Sequence, residues 1–155
     1  MITKRIALSE TSKLFDPLGW VSPVFVSFKI FLQDLWIDGL DWDTSLNREL
    51  QETWESITEN LNGISKIKIP RWLECNLTTE WSLHGFADVS KRAYSACVYF
   101  VPKIGKSLLI CSKVRNAPAK TLLITHLELL GAHLLAKLIQ YILSFFENKP
   151  HDIHF

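Results

Sequence analysis

The sequence predicts an α/β fold in which a helical N-terminal lobe precedes three antiparallel strands and one long helix. Three observations carry that expectation. Apolar residues recur at helical spacing in the first part of the chain, at a period of two beyond position 80, and at helical spacing again after position 120. The links between the period-two runs are short, which suits hairpins. The 155 residues fit one compact domain or two small lobes.

Pro17-Leu18-Gly19 marks a turn, and Ser22-Pro23 reads as an N-cap followed by proline in the first helical turn. Val24, Phe28, Leu32, Leu35 and Trp36 then share one helical face, and Gly39 stops the helix. A second helix is predicted after Asp43-Thr44-Ser45, taken as its cap, with Leu46, Leu50, Trp54, Ile57 and Leu61 on its buried side and Gly63 at its end. Lys66-Ile67-Lys68-Ile69 alternates as a short strand closed by Pro70. The polar stretch 73–80 is the expected linker between lobes. Strands are predicted over 81–88, 94–101 and 107–113, and after Ala117-Pro118 a helix runs to about 146 on Leu127, Leu130, Leu134, Leu138 and Ile142. A three-stranded sheet covered by one helix leaves an open edge and little core, so the second lobe is expected to be incomplete.

With 48% hydrophobic residues and six each of Gly and Pro, disorder, collagen and coiled coil are excluded. No secretory leader or membrane span is read: the most apolar segment, 122–146, is interrupted by His126, Glu128, His133, Lys137 and Gln140. Cys75, Cys97 and Cys111 form no CxxC pair, so a reduced intracellular, cytoplasmic chain is expected. The net charge of +1 conceals an asymmetry: residues 1–80 carry −4 and residues 81–155 carry +5. The basic half holds only four acids, Asp88, Glu128, Glu147 and Asp152.

Two of these stand where a metal site needs them. Asp88 ends an apolar strand and Glu128 opens the long helix, and hard cations such as Mg²⁺ take carboxylate oxygens converging from rigid elements. Each also has a structural reading. Thr125-x-x-Glu128 matches a capping box, and Asp88 before Val89-Ser90-Lys91 suits a turn. His151-Asp152-Ile153-His154 reads either as a soft-metal ligand pair or as a solvated tail, and His126 and His133 as packed or solvated helix residues. Asp43-Thr44-Ser45 lacks the glycine of an aspartic-peptidase loop.

Leu8-Ser9, Phe15-Asp16-Pro17-Leu18-Gly19-Trp20, Ser22-Pro23, Lys29, Leu35-Trp36, Asp41-Trp42-Asp43, Trp54 and Ile69-Pro70-Arg71-Trp72 occur in order. They are followed by His84-Gly85-Phe86-Ala87-Asp88-Val89-Ser90, Ala93-Tyr94, Ser112-Lys113, Ala117-Pro118 and Leu127-Glu128-Leu129-Leu130. This series resembles the Pol polyprotein of BEL/Pao-type LTR retrotransposons over nearly the whole chain. The resemblance implies that residues 1–72 are a reverse-transcriptase thumb- and connection-like region and that 81–155 begin a ribonuclease H-like domain. It implies that Asp88 and Glu128 are two of the catalytic acids, ligands to Mg²⁺ or Mn²⁺ in the intact domain, whose substrate is an RNA–DNA hybrid. The implied partners are nucleic acid and the rest of the polyprotein, with no membrane.

The sequence departs from the family pattern in places. Val89 replaces an alanine, Thr125-His126 replaces a Pro-Arg pair, and the third acid belongs to a fourth strand of which 151–155 would be the first residues. The expectation is therefore a polyprotein fragment that is inactive alone. The alternatives are a non-catalytic nucleic-acid-binding remnant and an interaction module that recruits a partner along its open sheet edge.

Overall fold

The computed structural model describes residues 1–70, 73 and 80–155. Helix α1 (Lys4–Ser12) is followed by α2 (Ser22–Ile37), α3 (Arg48–Glu59) and a 3₁₀ segment over Asn60–Lys66. Then come β1 (Trp81–Val89), β2 (Ala93–Pro102), β3 (Leu108–Asn116), α4 (Ile124–Leu143) and β4 (Asp152–His154). The sheet order is β3-β2-β1-β4, with β4 parallel to β1 and the other pairs antiparallel. The expected α/β class is borne out, with three antiparallel strands and then the long helix.

Several local expectations are corrected. Helix α1 was not foreseen; its apolar face is slight, with only Lys4 and Ala7 buried, and Thr3 caps it by accepting from Ile6 N at 3.3 Å. Ser22 is the first residue of α2 rather than its cap, which is Val21. The cap of α3 is Asn47, whose side chain accepts from Leu50 N, while Asp43 is held instead by Arg5 at 2.7 and 2.9 Å. Residues 66–69 form no strand: the chain continues from α3 as the 3₁₀ segment, and Ile67 is exposed, with no strand beside it among the described residues to complete a ladder. The linker over 73–80 lies outside the described residues except for Leu73 and Glu80, as do Cys75, Arg71 and Trp72. Of the two readings of 151–155, the start of a fourth strand is borne out and the solvated tail is not: β4 joins β1 through Ser82↔Asp152 and His84↔His154.

Two cores result. In the first, Phe28, Phe31, Leu35, Leu46 and Trp54 close around Ala7, with both phenyl rings 5.5 Å from the Trp54 ring. In the second, α4 lies on one face of the sheet over Trp81, Leu83, Val98, Phe100 and Cys111 through Leu134, Leu135, Ile139 and Ile142. Gly85 permits that approach, since a Cβ there would stand 2.7 Å from Leu135 Cδ1 and 2.9 Å from Ile139 Cδ1.

The cores are joined along the outer edge of β3. Asp16 caps the turn after it, accepting from Trp20 N and Val21 N at 2.9 Å each. Gly19 takes φ +71°. The turn then pairs with the strand: Ser112 N donates to Leu18 O at 2.8 Å, Ser112 Oγ donates to Gly19 O, and Trp20 Nε1 donates to Ile110 O at 2.9 Å. Farther along, Gln33 Nε2 donates to Ala117 O at 2.8 Å, Asn116 Nδ2 to Lys29 O at 2.7 Å, and Arg92 reaches both oxygens of Asp34. The expected open edge is therefore covered on the β3 side, where α2 supplies partners for an otherwise exposed ladder.

Gly19 and Gly39 make a matched test of this joint. Both have positive φ, but a Cβ on Gly19 would overlap the Ser112 carbonyl, whereas nothing lies within 4 Å of one on Gly39. Gly39→Ala should cost about 1 kcal/mol, the left-handed backbone penalty alone. Gly19→Ala should cost more, about 3 kcal/mol, with loss of the β3 contact. Urea unfolding of the two variants measures the difference.

Candidate active site

Strand alternation fixes where Asp88 points. Leu83 and Gly85 lie under α4, and Ala87 and Val89 meet its Gly131, so Asp88 faces the other side of the sheet, in register with Ser95. There it is exposed, at the rim of a cleft of about 370 Å³ that Trp20, Pro23 and Val26 wall from the helical side and Ser95, Cys97 and Tyr99 from the sheet. Among the described residues lining that cleft, Asp88 is the only charged one. The turn that follows does not use its carboxylate. Ser90 makes it, with Ser90 N donating to Ala93 O at 2.8 Å and Ser90 Oγ accepting from Arg92 N and Ala93 N at 3.2 and 3.1 Å.

Glu128 is likewise released from its structural reading. Helix α4 starts at Ile124 with Leu123 as N-cap and no side-chain capping bond, so Thr125 is already inside the helix and the capping box does not form. Glu128 is exposed, on the same helical stripe as Leu135 and Ile139, the two side chains that lie against Gly85. Strand β4 pairs only with Ser82, Leu83 and His84, so beyond His84 this side of β1 has no described strand beside it. Asp88 thus stands at the end of β1 on the cleft face, and Glu128 stands early in α4, which packs on the other face of the sheet. Neither carboxylate has a hydrogen bond or ion pair among the described residues.

Carboxylate oxygens suit Mg²⁺ or Mn²⁺ in kind. In number they fall short, since no group of three or more His, Cys, Asp or Glu side chains able to hold a metal occurs among the described residues. Asp152, the acid on β4, stands beside Ser82, six residues and about 20 Å along the strand from Asp88. The described residues therefore do not compose a complete two-ion site.

The other sequence candidates have plain roles. His154 lies against His84 with ring centroids 4.4 Å apart, and His151 Nδ1 is 2.7 Å from Asp152 Oδ2. His126 and His133 are exposed on α4. Burial pushes the Cys111 thiol up to about 11 and raises that of Cys97, so neither is a poised nucleophile. What sequence reasoning missed is that Trp20, Pro23 and Val26, at the start of the helical lobe, wall the cleft that carries Asp88. Their separation of more than 60 residues from Asp88 left no local signal.

A sequence model of the Pao retrotransposon-like RNaseH-like domain matches residues 3–155. The chain belongs to this family. The Pao resemblance read from the motifs is confirmed, and the match takes in α1 to α3 together with the sheet and α4. No curated protein matches the chain. RNase H-like domains generally use divalent metals, in keeping with the type of side chain that the Pao-family chain presents at the end of β1 and early in α4. No helix among the described residues is long and apolar enough to cross a membrane.

Three outcomes follow from this geometry. Asp88→Asn and Glu128→Gln should each leave unfolding free energy within about 0.5 kcal/mol of the parent, because neither carboxylate has a partner to lose. Ser90→Ala should cost about 1 kcal/mol in the same denaturant series. In a Cys75→Ser background, native protein at about pH 8 should label slowly with maleimide and fast once unfolded. Roughly one Cys111 thiol in a thousand is ionised at that pH in the folded state.

Proposed function

We propose that the chain is the RNase H-like portion of a retrotransposon Pol polyprotein, intracellular in its setting. Its partners are an RNA–DNA hybrid and the rest of that polyprotein. Residues 1–72 form a thumb- and connection-like region, 73–80 a linker, and 81–155 the ribonuclease H-like part. Asp88 and Glu128 are two of the carboxylates that hold the divalent ions, Mg²⁺ or Mn²⁺, with which such a domain hydrolyses the RNA strand. What supports this is that both acids are free of structural duty, at the end of β1 and early in α4, in a chain of this family. An exposed carboxylate without a partner on each of two packed elements leaves both available to an ion.

The same reading makes residues 1–155 alone inert toward a hybrid. Strand β4 runs parallel to β1 with an offset of 70, so the position beside Asp88 would be 158, and within the chain no β4 carboxylate stands next to Asp88. Two acids leave a pair of ions under-coordinated.

Mn²⁺ binding followed by water-proton relaxation should be weak, and either Asp88→Asn or Glu128→Gln should weaken it further. Binding indifferent to both substitutions would remove the proposed site. An end-labelled RNA–DNA hybrid should remain uncut by the chain in Mg²⁺. Cleavage that Asp88→Asn abolishes would show that the chain needs no further acid.

A further inference from the structure

On the α4 side of the sheet, away from the cleft of Asp88, α2 and α4 stand apart over β3 and leave a trough of about 710 Å³. Four cations line it, from three elements: Lys29 of α2, Lys113 and Arg115 of β3, and Lys137 of α4. Asp16 is its only acid, and both oxygens of that carboxylate already accept from Trp20 N and Val21 N. Lys113, Arg115 and Lys137 have no ion pair among the described residues. Partial burial and the nearby Lys113 and Arg115 charges hold the Lys29 ammonium below its usual pKa against the opposing charge of Asp16, while Lys29 Nζ donates to Val114 O at 3.2 Å. The trough continues past Lys29 and Arg115 into a second hollow of about 620 Å³ beside Trp36 and Pro118, so the basic path is longer than a single ion requires. At its other end Tyr141 and Phe145 are 64% and 67% exposed, edge to face at 4.8 Å.

We propose that this trough binds a single strand of nucleic acid, with phosphates on Lys29, Lys113, Arg115 and Lys137 and a base against Tyr141 or Phe145. A row of unpaired cations ending in exposed aromatic faces is the pairing that holds single strands without reading their sequence. An acidic peptide would use the cations and leave the aromatic faces idle. The proposal rests on the reading of this chain as a nucleic-acid-processing domain, and it places a contact on the flank opposite the Asp88 cleft.

Fluorescence anisotropy with a labelled oligothymidylate, across a range of salt, tests it. The parent should bind, and affinity should fall as salt rises. The triple variant Lys113→Gln, Arg115→Gln, Lys137→Gln should bind at least roughly tenfold more weakly at low salt, with a slope of log K against log salt shallower by about 2. Tyr141→Ala with Phe145→Ala should weaken binding without changing that slope. All the substituted side chains are exposed, and a denaturant midpoint confirms folding of each variant. Normal binding by the triple variant would refute the trough while leaving the nucleic-acid reading intact. Absence of binding to the single strand and to an RNA–DNA hybrid alike would defeat both. Equal competition by polyglutamate would overturn the choice of nucleic acid.

Discussion

The pairing of the Leu18–Gly19 turn with the outer edge of β3 governs the rest of this structure. A sheet edge exposes a row of unsatisfied donors and acceptors, and here the turn fills it through Leu18 O, Gly19 O and the Trp20 indole. Asp16 holds the turn by capping Trp20 N and Val21 N, and glycine is required because the backbone is left-handed where it touches Ser112. Helix α2 is thereby fixed along β3. Its first residues wall the Asp88 cleft and its middle, at Lys29, forms one bank of the basic trough. The two lobes share functional surfaces because one tight turn sets their separation.

A second constraint is the division between polar groups engaged in structure and polar groups left over. Ser90 satisfies the β1–β2 turn, Asn47 caps α3, Arg92 pairs with Asp34, and Lys103 pairs with Glu80. Asp88 and Glu128 belong to the groups left over, as do the exposed Asp38, Asp41, Glu49, Glu55, Glu59 and Glu147. An exposed carboxylate costs little on a surface, and these two differ in being carried on β1 and α4, elements locked together by a core. Leu83 and Gly85 under Leu135 and Ile139 provide that lock.

The strands and α4 were readable because burial on one face imposes a strict period. Leu83, Val98 and Phe100 alternate with outward residues, and Leu127, Leu134 and Ile142 recur along one helical side. Helix α1 was not readable because its stability comes from packing Ala7 against α2 rather than from an apolar stripe of its own. The 66–69 alternation misled for the converse reason: a period of two without a neighbouring strand has no ladder to join. Two of the supposed caps, at Ser22 and at Thr125, moved by one to two residues, because Val21 and Leu123 already have the non-helical backbone that a cap needs.

By itself the sequence determined the family, the α/β class, the two candidate acids and the strand–strand–strand–helix order, since motif identity and hydrophobic period are local properties of the chain. Only the tertiary structure decided that both acids are free of structural partners, that Asp88 faces away from the helix that carries Glu128, and that β4 sets Asp152 beside Ser82 rather than Asp88. The meeting of Lys29 with Lys113, Arg115 and Lys137 was decided there as well. Those outcomes depend on register and on the docking of α2 across more than 80 residues, where the energy lies in edge hydrogen bonds and packed faces that no window of sequence contains.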